Sequence, residues 1–122
     1  MNGNNYLLDT NILVYALKGI PAVVPYLEEN CFVSVVTEIE ITGVPGLSKM
    51  ELSARQTAVD HCTIIPLTTA IKNEAIRLKQ QHKVKVPDAV IAATALIEDY
   101  TLITADKGFR RFSSLQLILV NL

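Results

Sequence analysis

Short β-branched and apolar runs alternate along this chain with longer stretches whose apolar residues recur at helical spacing. That alternation restricts the fold more than any other feature. Tyr6 to Leu8, Cys31 to Val36, Thr63 to Leu67, Thr101 to Thr104 and Leu115 to Val120 read as strands. Between the first two, Ile12, Leu13, Tyr15, Ala16 and Leu17 continue as a helix that Gly19 can end, and Pro21 opens a second helix through Glu29. Thr37 reads as the N-cap of the next helix, which Gly43, Pro45 and Gly46 cut short. Ser48 and Glu51 make a capping box for a helix towards His61. Ile71, Ala75 and Leu78 form one face of an amphipathic helix from Ala70 to about Gln81, opposite Lys72, Glu74, Arg77 and Lys79. Pro87 to Glu98 is apolar nearly all round and rich in alanine, which predicts a buried, closely packed helix. Strands alternating with helices predict an α/β fold: a mainly parallel central sheet of about five strands, flanked by helices and joined by right-handed crossovers. A chain of 122 residues, 50% hydrophobic, suits a single domain over residues 1–122 that buries roughly two-thirds of its unfolded surface.

A net charge of −1 gives the molecule no general attraction for a polyanion, so any nucleic-acid contact has to be local. Cys31 and Cys62 lack C-x-x-C spacing and the count of a disulfide framework, and read as buried free thiols in a reducing cytosol. No basic segment precedes the first apolar stretch, which Asp9 interrupts, so no signal peptide is expected. The longest nearly apolar run, Ala89 to Ile97, falls short of the roughly 20 residues of a membrane span. A soluble cytoplasmic protein without a membrane partner is the expectation.

Acidic residues stand where apolar runs hand over to helix starts: Asp9 in Leu7-Leu8-Asp9-Thr10-Asn11, Glu40 in Thr37-Glu38-Ile39-Glu40, Asp88 after Pro87, and Asp106 in Ile103-Thr104-Ala105-Asp106. Taken singly, each has a local account. Asp9 suits an N-cap, Thr37-x-x-Glu40 is itself a capping-box pattern, Asp88 faces the positive end of a helix dipole, and Asp106 precedes a Lys-Gly turn. Together they fall at the carboxyl ends of strands, the edge of an open α/β sheet where ligands bind. Carboxylates converging there repel one another unless a cation intervenes, and an oxygen-only donor set suits Mg²⁺ or Mn²⁺. Zinc would recruit His or Cys, whereas His61 and His82 have no ligand partner at helical spacing.

Asp9-Thr10-Asn11 after a strand, Thr37-x-x-Glu40, Pro87-Asp88-Ala89-Val90-Ile91-Ala92-Ala93-Thr94-Ala95 and Thr104-x-Asp106-x-x-Phe109 together resemble the PIN-domain ribonucleases of the VapC toxin type. The resemblance covers nearly the whole chain. It implies a PIN-like mainly parallel sheet, an acidic quartet binding Mg²⁺ or Mn²⁺, and hydrolysis of RNA phosphodiesters by an endoribonuclease. On that basis Asp9, Glu40, Asp88 and Asp106 take the catalytic and metal-binding positions, with Asn11 and Thr104 in supporting polar positions. It further implies homodimers and pairing with a small antitoxin protein. The break at Gly43-Val44-Pro45-Gly46 shortens the helix carrying Glu40, a departure from the family pattern.

Two basic clusters flank the acidic positions, Lys79, Lys83 and Lys85 before Asp88 and Lys107, Arg110 and Arg111 after Asp106. Lys85, Lys107 and Arg110 are the candidates for RNA phosphate contact by proximity. Tyr100, Phe109 and Phe112 suit the core better than base stacking. A receiver domain would need an adjacent acidic pair after the first strand, and a dehalogenase-type phosphatase would need D-x-D where position 11 is Asn. A non-catalytic PIN-like scaffold or interaction module and a DNA-directed nuclease are the alternatives that fit the same residues.

Overall fold

The structure is a computed structural model that describes residues 5–121. Five strands, β1 (Asn5–Leu8), β2 (Asn30–Ser34), β3 (Thr63–Ile65), β4 (Thr101–Thr104) and β5 (Leu117–Leu119), pair in parallel in the order β3-β2-β1-β4-β5. The chain therefore builds outward from β1 to β3 on one side, then crosses to build β4 and β5 on the other. The carboxyl ends of β1 and β4 flank the switch point where such sheets open a crevice.

Helices α1 (Thr10–Leu17), α2 (Val24–Leu27), α3 (Val35–Thr42), α4 (Lys49–Asp60), α5 (Thr69–Gln81) and α6 (Val86–Glu98) connect the strands, with 3-10 turns at Pro21–Val23 and Lys107–Arg111. Side-chain alternation along the strands divides the core between the two faces of the sheet. Leu7 and its register partner Leu102 pack with α5 and α6, through Ile71, Leu78, Ala89, Ile91 and Ala92. Leu8 and its partner Ile103 pack on the other face with Ile12, Leu13, Val33, Ile41 and Val59. Each such fully buried Leu or Ile stabilises the fold by ~1.5–3 kcal/mol relative to exposure. The alanines expected to pack closely do so: Ala89, Ala92, Ala93 and Ala95 are all buried, and the buried Thr94 satisfies its hydroxyl on the Val90 carbonyl at 2.7 Å.

Several boundaries differ from the sequence reading. β2 stops at Ser34 rather than Val36, because the Ser34 hydroxyl accepts the Val36 amide at 3.0 Å and starts α3 at Val35. Ser34, not Thr37, is the N-cap, so Thr37-x-x-Glu40 is no capping box. The helix expected from Pro21 to Glu29 is a 3-10 turn followed by the short α2. Pro25 has no amide hydrogen to donate to the carbonyl four residues back, so the 3-10 turn cannot continue through it as one helix and α2 starts afresh with Pro25 in its first turn. β3 ends at Ile65 because Pro66 follows and cannot donate to a ladder. The Ser48–Glu51 capping box forms with both reciprocal bonds, at 3.1 and 2.9 Å. Gly43 closes α3 where a Cβ would stand 2.4 Å from the Ile39 carbonyl oxygen, so only glycine fits and the helix carrying Glu40 stays short. Among the described residues no helix is long and apolar enough to cross a membrane.

Candidate functional site

Asp9 is the first residue past β1, at the switch point, and its amide donates to the Ile103 carbonyl of β4 at 2.9 Å. That backbone bond anchors it between the two central strands. Its side chain is buried, and both carboxylate oxygens are engaged: Oδ1 accepts the Thr10 amide at 2.8 Å, capping α1, while Oδ2 accepts Thr104 Oγ1 at 2.6 Å and Asn11 Nδ2 at 3.2 Å. The capping role and the site role thus coexist in one side chain. Thr104, fully buried at the end of β4, also accepts the Asp106 amide at 3.0 Å. Asn11 Oδ1 receives the Ala105 amide at 3.4 Å. Asn11 and Thr104 therefore tie the loop after β1 to the loop after β4.

Glu40 reaches the same edge from the second turn of α3. Its Oε1 accepts Thr10 Oγ1 at 2.6 Å, and Thr10 Oγ1 lies 3.1 Å from the hydroxyl of buried Thr37. Thr10 and Thr37 were not singled out as site residues from the sequence. Thr10 lies inside the Asp9-Thr10-Asn11 motif and carried a signal; Thr37 was masked by its resemblance to an N-cap.

Asp88 occupies the first turn of α6, behind Lys85 as the N-cap position and Pro87, whose missing amide costs nothing there. Asp106 caps the following 3-10 turn, its Oδ1 accepting the Gly108 amide at 2.8 Å. The two carboxylates line a cleft of about 310 Å³ together with Lys83, Lys85, Gly108, Arg111 and the aromatic floor of Phe109 and Phe112. Arg111 bonds back to the Lys83 and Gly108 carbonyls, which fixes it at the rim. Lys107 and Arg110 are exposed on the same turn but do not line this cleft. Phe109 and Phe112 are buried, and Tyr100 stacks on Phe32 with ring centroids 4.3 Å apart, so all three aromatics are packing residues.

The electrostatics connect the four acids. Burial pushes the Asp9 carboxyl above its ordinary 3.8; hydrogen bonds from Thr104 and Thr10 pull it down, and the charges of Asp88 and Asp106 push it up again. Asp88 is also raised, by burial first and then by Asp106 and Glu40, against the opposing pull of Lys85 and Arg111. Buried Asp9 and half-buried Asp88 thus each feel two of the other acids. The donor set is all oxygen, which suits a hard divalent cation. Among the described residues, no three His, Cys, Asp or Glu side chains meet closely enough to ligate one ion as they stand. The carboxylates share an edge and a field rather than a point, and a bound cation would have to draw them in.

A family model described as the PIN domain matches residues 6–115. No curated protein matches the chain. Among solved structures, a chain of a toxin-antitoxin complex from Klebsiella pneumoniae is 27% identical, with a TM-score of 0.81 over 95% of this chain and 98% of that one. A chain of VapBC-1 from nontypeable Haemophilus influenzae is 25% identical, with a TM-score of 0.78 over 94% and 97%. VapBC2 from Rickettsia felis, bound to a DNA fragment from its promoter, contains a chain of the same fold, at 24% identity and a TM-score of 0.85 over 96% and 99%. With the match spanning nearly all of the chain, and the parallel sheet and acidic edge in place, this protein belongs to the PIN domain family.

Proposed function

We propose that this chain, as a single domain over residues 1–122, is a metal-dependent endoribonuclease and the toxin half of a toxin–antitoxin pair. The observation that carries the reading is the gathering of Asp9, Glu40, Asp88 and Asp106 at the carboxyl edge of the sheet, with Asp9 buried there on Thr104 and Asp88 and Asp106 lining one cleft. Burial and neighbouring carboxylates raise Asp9 and Asp88, and a cation would relieve that repulsion. Asp9, Asp88, Asp106 and Glu40 are the residues that would hold Mg²⁺ or Mn²⁺. When bound, the ion supplies Lewis acidity that activates water near neutral pH and offsets charge developing on the leaving oxygen. The chain's own part is orientation. Thr104, Asn11 and the Thr10 amide hold the Asp9 carboxylate in one pose, and the Thr10 hydroxyl does the same for Glu40. Lys83, Lys85 and Arg111 offer phosphate contacts on the cleft itself, with Lys107 and Arg110 further along the strand's path. In-line attack would leave a 5′-phosphate and a 3′-hydroxyl.

Similarity to chains of toxin–antitoxin complexes supports an antitoxin as partner; its small size, a homodimeric assembly and action in the cytoplasm belong to the same proposal. The test is cleavage of a mixed pool of transfer, ribosomal and messenger RNAs, beside a matched DNA pool, with Mn²⁺ or with chelator. RNA cut only in the presence of metal, with 5′-phosphate ends and with activity lost in Asp88→Asn, is the expected result. Cutting that persists in chelator, or cutting of DNA in preference to RNA, contradicts the reading.

A further inference from the structure

The end of the sheet away from the carboxylates holds a second arrangement of reactive groups. Cys31 is the second residue of β2, and Cys62 immediately precedes β3. The parallel register pairs Phe32 with Thr63, so the two cysteines are the lateral neighbours one step earlier. Adjacent strands lie about 4.8 Å apart, inside the roughly 4.4–6.8 Å Cα separation that a disulfide spans. Both thiols are buried, and their Sγ atoms stand 3.2 Å apart in a thiol–thiol hydrogen bond. Closing that gap to the ~2.05 Å of a disulfide needs side-chain rotation rather than backbone movement.

Cys31 also lines a solvent-connected cleft of about 480 Å³ with Leu27, Glu28, Asn30, His61 and Thr63, which Cys62 does not line. The neighbouring Cys62 sulfur brings the Cys31 thiol down to about 7, against the opposing effect of burial and with help from His61, while Cys62 is pushed up. Cys31 thus faces the cleft with the Cys62 sulfur within hydrogen-bond reach, the arrangement that an attacking and a resolving thiol need.

We infer that Cys31 and Cys62 form a hydroperoxide-oxidisable dithiol that closes to a disulfide tying β2 to the start of β3. The Cys31 thiolate attacks one peroxide oxygen, the O–O bond breaks and Cys31 becomes a sulfenic acid, with the other oxygen leaving as water after taking up a proton. The Cys62 sulfur then displaces hydroxide from the Cys31 sulfur, and that hydroxide leaves as water with the proton Cys62 releases. The two thiols together lose two electrons and two protons, and hydrogen peroxide is reduced to two waters. The resulting loop would enclose α3 and α4 and with them Thr37 and Glu40.

The full chain, as purified and reduced, is exposed to millimolar hydrogen peroxide, blocked with an alkylating reagent and read by intact mass and by non-reducing peptide mapping. The wild type is expected to lose two hydrogens without gaining oxygen, to yield a Cys31–Cys62 cross-linked peptide within one chain, and to recover both thiols with dithiothreitol. Folded protein should cross-link at least about tenfold faster than protein unfolded in urea, since the fold supplies the proximity. Cys62→Ser should instead take up oxygen at Cys31. Two thiols still titratable after treatment, separate oxygenation of each cysteine, cross-links only between chains, or equal rates folded and unfolded would each overturn the inference.

Discussion

At the amino end of the sheet, side chains pack beside groups that suit them: half-buried Tyr6 sits edge-on against Tyr26 with centroids 5.2 Å apart, and buried Cys31 lies against Cys62. At the carboxyl end the chain does the reverse, sinking Asp9 beneath Thr104 and setting Asp88 within the fields of Asp106 and Glu40. Burial raises both acids, so their ionised forms weaken the folded state instead of supporting it. The two ends share strands, register and helices, and the difference teaches where the fold gives up stability, at the edge where the proposed chemistry lies. The Thr104 hydroxyl limits the damage by satisfying the buried Asp9 carboxylate, and the Thr10 hydroxyl, beside that of Thr37, does the same for the exposed Glu40.

Substitutions on adjacent residues of β4 separate the two roles. Ile103→Ala, which empties a fully buried position on the α1 and α4 face, should lower unfolding free energy by ~2–5 kcal/mol in urea titration. Activity per folded molecule should be little changed, because Ile103 faces the core and contributes only its carbonyl to Asp9. Thr104→Val, one residue on, keeps the volume but removes the hydroxyl shared by Asp9 and Asp106. RNA cleavage should fall by roughly 10–100-fold, with a stability loss of only ~1–3 kcal/mol. A Thr104→Val protein that cleaves RNA at the wild-type rate would break the distinction between the packing role and the proposed site role.

The pH dependence should be the smallest effect. Asp9 and Asp88 have folded-state values raised above an ordinary 3.8, so between that value and their folded values the native state binds more protons than the unfolded chain. Their contribution is therefore most favourable at low pH, and metal-free stability should decline as pH rises through that window. Asp88→Asn should flatten the decline in urea midpoints measured from pH 4 upward, in roughly half-unit steps. An equally steep decline in the variant would assign the effect to other groups.

Much of this was legible because it is local. β4 has the limits that its apolar run implied, and the Ser48–Glu51 box opens α4 where the pattern placed it. The acidic residues could be found because a strand end is a local feature, and the parallel order then fixes which ends are neighbours. Other features depend on competition or on tertiary register. Val35 and Val36 extend a β-branched run that Ser34 nonetheless interrupts, since its hydroxyl satisfies a helix-end amide. Arg111, rather than Arg110, lines the cleft because of how the 3-10 turn rotates successive side chains, which composition does not reveal. Cys31 and Cys62 look isolated along the chain and become neighbours only through the β2–β3 register.

The central claim, that the carboxyl end is a cation site, is tested most directly without any substrate. Thermal unfolding of wild type and Asp88→Asn would be followed with and without millimolar Mn²⁺. A cation that binds only the native state raises the wild-type midpoint, by about 5 °C or more at a concentration near 100 Kd. The account predicts that rise, together with an Asp88→Asn protein at least as stable as wild type without metal and largely unresponsive to it. Midpoints unmoved by Mn²⁺ in both proteins, with Asp88→Asn simply less stable, would make Asp88 a helix-dipole charge and contradict the metal site.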